Sequence, residues 1–135
     1  MAESQQHREF VVNIVEWINA ERNPKSNLVI LADDGVGRPE SKPQKINGYF
    51  PDVFAKEPGN ANVIIGEAKT ANDVEHSHTE RQVAAFLSYI GAVGGGTLVV
   101  AVPWFRAITA RELIDDQLDA LAVDSCEIIV LGQAS

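Results

Sequence analysis

The chain has 135 residues, 45% of them hydrophobic and 22% charged, and carries a formal net charge of -8. That size and balance suit one globular domain over residues 1–135, large enough to bury a core without staples. The acidity argues against tight, non-specific nucleic-acid binding, which needs clustered Lys and Arg, and the single cysteine excludes an intrachain disulfide.

In chain order, Met1 to Glu9 is polar and lacks the apolar centre of a signal peptide. From Arg8 to Glu21, Phe10, Val11, Ile14, Val15, Trp17 and Ile18 recur at helical spacing, and Asn23-Pro24 ends the helix. Asn27 to Ala32 has the length and apolarity of a strand, and Asp33 to Lys45 is loop chemistry. Gly48 to Lys56 reads as a strand, Glu57 to Asn60 as a turn, and Asn62 to Thr70 as the partner strand of a hairpin. Ala71 to His78 is polar. Asp73, Glu75, His76 and His78 fit exposed positions before a helix better than a transition-metal site. Ser77 and Thr79 are N-cap candidates, with Glu80 and Gln82 at capping-box spacing. The helix that follows buries Val83, Phe86, Leu87 and Ile90, and Gly94 to Gly96 ends it. Thr97 to Val102 is a β-branched strand. Pro103 to about Asp124 is helical, with Ile108, Leu113, Leu118 and Leu121 as its apolar positions, and Cys126 to Leu131 is a last strand. Trp17 and Trp104 read as core or interface aromatics rather than base-stacking platforms.

The order is α-β-β-β-α-β-α-β, an α/β class. The strand-helix-strand passage from Asn62 to Val102 implies a parallel crossover, which with the hairpin makes a mixed sheet flanked by helices. The longest apolar run, Thr97 to Phe105, is far short of the roughly 20 residues of a membrane helix and contains a proline. A cytoplasmic protein with no membrane partner is expected.

Chemistry concentrates on the predicted hairpin. Strand side chains alternate, so Glu67 and Lys69 share a face. A four-residue turn sets Asp52 opposite Ile65, diagonal to Glu67 and on that same face; a bulge near Pro51 would shift it. Paired carboxylates repel unless a cation lies between them, and Mg²⁺ takes oxygen donors while keeping several waters. A lysine two residues on can orient or deprotonate such a water. Glu-X-Lys also suits a solvated strand, and Asp after Pro also starts turns.

Gly48-Tyr49-Phe50-Pro51-Asp52-Val53, followed by Glu67-Ala68-Lys69-Thr70, resembles the signature of the PD-(D/E)XK nuclease superfamily, over roughly residues 8 to 102. The resemblance implies a restriction endonuclease-like, three-layer α/β/α fold around a central mixed sheet. It implies Mg²⁺, with Mn²⁺ as a substitute, held by Asp52, Glu67 and the Ala68 carbonyl, with Lys69 serving the nucleophilic water. It also implies an acid on the first helix, for which Glu9 is favoured over Glu16, a glutamine after the lysine strand at Gln82, and a tyrosine further along at Tyr89. The expected activity is Mg²⁺-dependent hydrolysis of DNA phosphodiesters, as an endonuclease or exonuclease; the alternative is a catalytically inactive nuclease-fold binding or assembly module. Duplex cleavage by so small a chain would call for a homodimer or a partner subunit. The only long candidate recognition loop is Asp33 to Lys45, where Lys42 and Lys45 are candidate phosphate contacts.

Overall fold

A computed structural model describes residues 5–33, 41–71 and 77–134. Helix α1 covers Gln5–Glu21, and strands β1, β2 and β3 cover Val29–Ala32, Val53–Lys56 and Val63–Ala68. Helix α2 (Ser77–Ala92), strand β4 (Gly96–Pro103), helix α3 (Ala107–Leu121) and strand β5 (Cys126–Gln133) complete the chain, with single 3-10 turns at Asn23–Lys25 and Trp104–Arg106. The five strands form one sheet in the order β1-β2-β3-β4-β5. The β1/β2 and β2/β3 pairs are antiparallel, whereas β3/β4 and β4/β5 are parallel.

The pleat of β3 divides the core. Ile64 and Ala68 pack with Phe10, Val11, Ile14 and Ile18 of α1. Val63 and Ile65 pack with Val83, Phe86, Leu87 and Ile90 of α2 and with Ala110 and Ile114 of α3. Every residue of β3 is buried, the pattern of a central strand covered on both faces. Among the described residues no helix is long and apolar enough to cross a membrane.

Gly66 lies where α1 packs against the sheet. A Cβ there would lie 2.7 Å from Ile14 Cγ2 and 2.9 Å from Val53 Cβ. Both neighbours are fully buried, so neither has room to withdraw. Gly66→Ala is expected to destabilise the fold by about 1–3 kcal/mol through overpacking, read as a lower denaturation midpoint with an unchanged slope.

Several expectations are corrected. The segment predicted as a strand from Gly48 is a tight turn first: Asn47 and Gly48 have φ of 48° and 94°, and Ile46 and Tyr49 exchange backbone hydrogen bonds across them, so β2 begins only at Val53. The β2/β3 connection has two more residues than predicted, because the Asn60 side chain accepts the Asn62 N–H at 2.9 Å and withdraws it from the ladder. Val53 therefore pairs with Gly66 and Phe54 with Ile65. Pro103 ends β4 instead of opening a helix. The 3-10 turn after it resets the phase of α3, so that Ala110 and Ile114 face the core while Ile108 is 77% exposed. Leu113 and Leu118 pack at the core margin, but Leu121 is exposed. Part of the predicted Asp33 to Lys45 loop, and Asp73, Glu75 and His76, lie outside the described residues.

Candidate active site

The carboxyl ends of β3 and β4 form one edge of the sheet, and the motif residues gather there. Glu67 is paired with Val100 and Ala68 with Ala101, and the Lys69 N–H donates to the Ala101 carbonyl at 2.9 Å, carrying the ladder one residue beyond β3. The pleat aims Glu67 and Lys69 at α2. Neither faces solvent: Glu67 is 2% exposed and the Lys69 side chain 14%. A solvated strand does not describe this pair.

Asp52 enters from the other side. Its N–H donates to the Gly66 carbonyl at 3.1 Å, one residue out of the register in which Gly66 partners Val53. That offset is the signature of a bulge. The same N–H reaches Glu67 Oε1 at 3.0 Å, and the Ala68 N–H donates to Asp52 Oδ2 at 2.8 Å. Asp52 therefore lies against Glu67 and Ala68, not opposite Ile65. Its carboxylate lies along the sheet edge toward α1, where His7 Nε2 is 3.3 Å from Oδ2. The predicted shared face holds for Glu67 and Lys69, while Asp52 spans the edge between the two helical layers.

On the α2 side, Lys69 Nζ donates to Gln82 Oε1 at 2.6 Å and lies 3.3 Å from Glu67 Oε2. Gln82 is buried and commits its side-chain oxygen to the lysine. Thr79 and Gln82 form no capping box, because the helix already begins at Ser77. Below Glu67 and Lys69, Thr79, Val83, Val100, Val102, Ala110, Leu113 and Ile114 line a cavity of about 20 Å³, room for roughly one water. This apolar floor sets the electrostatics of the site. Burial first, and the Asp52 charge second, raise the Glu67 carboxyl from 4.5 to about 8, against the opposing pull of the Lys69 ammonium and the Asp52 N–H.

The remaining predicted residues fall elsewhere. Glu9 is exposed and bonded to Gln5 at 3.2 Å, and Glu16 is also exposed. Tyr89 packs at the margin of the α2-face core, beside Ile46 and Phe54. Lys42 meets Asp33 at 3.7 Å. His7, unforeseen, is the α1 side chain that reaches Asp52. Helical phase points to it, since residue 7 lies one turn before the buried Phe10 and Val11.

The oxygen donors here suit a hard divalent cation. Two carboxylates are adjacent, and the Ala68 carbonyl projects to the same side of β3 as its N–H, toward the Pro51–Asp52 segment, where Pro51 has no N–H to offer. Mg²⁺ is commonly held by one or two carboxylates with water completing its shell. Among the described residues no group of three or more His, Cys, Asp and Glu side chains is placed to hold a metal. Comparison with protein-family models, with curated proteins and with solved structures finds no match to this chain.

Proposed function

We propose that this protein is a Mg²⁺-dependent DNA phosphodiesterase of the PD-(D/E)XK type, an endonuclease or exonuclease. The observation that carries this is the meeting of Asp52, Glu67 and Lys69 at one buried strand end, the ammonium 3.3 Å from the Glu67 carboxylate. The order of the elements, with α1 on one sheet face and α2 and α3 on the other, supports a three-layer, restriction endonuclease-like arrangement.

Asp52, Glu67 and the Ala68 carbonyl would hold the cation, with Mn²⁺ as a substitute. When bound, such an ion polarises a phosphoryl oxygen and lowers the pKa of a water at the site. Lys69, as an ammonium donor, orients the attacking water or stabilises negative charge growing on the phosphate. Gln82 fixes the direction of that ammonium and acts as a positioning residue. The test is incubation of the purified chain with plasmid, branched and single-stranded DNA in Mg²⁺ or Mn²⁺. Cleavage that Lys69→Ala abolishes supports the proposal; no cleavage of any substrate, or cleavage indifferent to that change, sinks it.

Because Glu67 resists ionisation, cation binding has to displace its proton below about pH 8. Mg²⁺ affinity by calorimetry is therefore expected to rise by up to about tenfold per pH unit between pH 6 and 8. Buffers of different ionisation enthalpy should reveal the released proton. The deep burial of Glu67 also favours a second function, an inactive nuclease-fold module in which Glu67 stays protonated and structural. Absence of Mg²⁺ and Mn²⁺ binding at pH 8.5 would favour it.

A further inference from the structure

Three aromatic side chains are exposed among the described residues: Phe50 at 62%, Trp104 at 67% and Phe105 at 51%. All three lie on the edge that carries the site. Phe50 stands two residues before Asp52. Trp104 and Phe105 directly follow β4, beyond the Ala68–Ala101 pair that ends β3, and the Trp104 backbone lies against Gly132 of β5, 3.3 Å from where a Cβ there would stand. Exposed rings thus occur along this edge at Phe50, before β2, and at the ends of β4 and β5. Ile108, 77% exposed, widens the apolar surface on the β4 side.

Two of these rings carry a cation. Lys45 Nζ is 5.4 Å from the centre of the Phe50 ring, and the Arg106 guanidinium carbon is 5.9 Å from that of Phe105. Trp104 meets Phe105 edge to face, with centroids 5.7 Å apart, which leaves the two rings presenting differently directed faces. Arg8 and Arg81, in the first turns of α1 and α2, lie on the same edge. The run Asp115, Asp116, Asp119, Asp124 and Glu127 belongs to the later turns of α3 and the start of β5, toward the opposite edge. Glu9 and Glu80 share those turns, and the Asp33 N–H donates to the Asp52 carbonyl, so this edge is mixed in charge where the opposite edge is acidic.

Rings next to cations match the repeat of an unpaired strand, in which bases offer π faces and phosphates offer charge. A paired duplex keeps its bases stacked inside and has no use for exposed rings. Resting on the phosphodiesterase function above, we propose that the substrate is single-stranded DNA, or an unpaired end or flap, laid along this edge. Bases stack on Phe50 and on the Trp104–Phe105 pair, and the intervening phosphodiester is presented to Asp52, Glu67 and Lys69.

The test is binding without divalent metal, so that hydrolysis plays no part. Fluorescein-labelled oligothymidine of twelve nucleotides and a duplex of equal length are titrated at low salt, and Trp104 emission is followed in a Trp17→Phe background. Oligothymidine is expected to quench Trp104 and to bind at least about tenfold more tightly than the duplex. Trp104→Ala and Phe50→Ala should each weaken it by about tenfold with melting temperature unchanged. Equal binding of duplex, or affinity indifferent to both substitutions, overturns the proposal. So does sedimentation as a dimer that Trp104→Ala dissolves, since the rings would then belong to a second copy. If duplex is cleaved while the rings prove irrelevant, this inference falls and the phosphodiesterase function stands. If DNA binds as expected and is never cleaved with Mg²⁺ or Mn²⁺, the reverse holds.

Discussion

Glu67→Gln is expected to abolish divalent-cation binding and DNA hydrolysis while making the metal-free protein more stable at alkaline pH. The substitution keeps the shape of the side chain and removes its ionisation. Glu67 is raised from 4.5 to about 8, chiefly by burial, so its carboxylate form is disfavoured in the folded state. Below pH 4.5 both folded and unfolded chains hold the proton, and the group imposes no penalty. Between pH 4.5 and about 8 the unfolded chain releases the proton and the folded one retains it, so stability falls as pH rises. Above about 8 the loss is complete. The amide of the variant does not titrate and carries no such dependence. The variant should gain on wild type steadily from pH 5 to 8 and plateau beyond, by on the order of 2 kcal/mol, because Lys69 forfeits its closest anion in exchange. Denaturant melts at pH 5, 7 and 9 measure the trend, and calorimetry with Mg²⁺ measures the lost affinity. A variant less stable than wild type at pH 9 would mean that Glu67 serves the fold through its charge, contrary to its burial.

Lys69→Ala should lower kcat by roughly 10²–10⁴-fold, the range for loss of a positioned proton-transfer or charge-stabilising group. Cation binding should survive. Asp52, Glu67 and the Ala68 carbonyl are untouched, and the removed positive charge had competed for Glu67 from 3.3 Å. Mg²⁺ affinity is expected to hold or improve while turnover collapses, a split that global damage to the site would not produce. Lys69→Arg should not rescue, because the planar guanidinium cannot reproduce the 2.6 Å contact to Gln82 Oε1 from within the same buried volume. Gln82→Ala should give a smaller loss in kcat with KM nearly unchanged, as expected of a residue that acts through the lysine.

The elements of this fold were legible where a side chain's burial follows from size and spacing. Val83, Phe86, Leu87 and Ile90 announce the inner face of α2, and all four are buried. Legibility failed where small groups or local hydrogen bonds decide. Ala110 is a core position of α3, yet alanine carries little weight in a search for apolar periodicity. Asn60 redirects one backbone N–H and moves the hairpin register by two residues. The period of two is why that error was harmless to Glu67 and Lys69, whose common face survives any even shift. Asp52 was displaced from that face by a bulge, which no alternation pattern encodes. The resemblance implies an acid on α1 beside Asp52. The helical phase of Phe10, Val11 and Ile14 points instead to His7, a base where an acid was expected. The burial of Glu67, from which the site's electrostatics follow, depends on α3 closing over the strand end, a tertiary event outside any local window.

The site also ties the three layers of the molecule together. His7 in α1 touches Asp52, Asp52 accepts the Ala68 N–H in the sheet, and Lys69 reaches Gln82 in α2. This chain of contacts is a cross-brace at one end of the molecule. Occupation of the carboxylates would compete with its outer links, drawing Asp52 from His7 and Glu67 from Lys69. The amides of the first turns of α1 and α2 would then exchange with solvent at rates set by the ligand, while the middle of β3, buried on both faces, would keep its protection. Substrate loading and the fraying of two helix ends on opposite sides of the sheet would be a single coupled equilibrium.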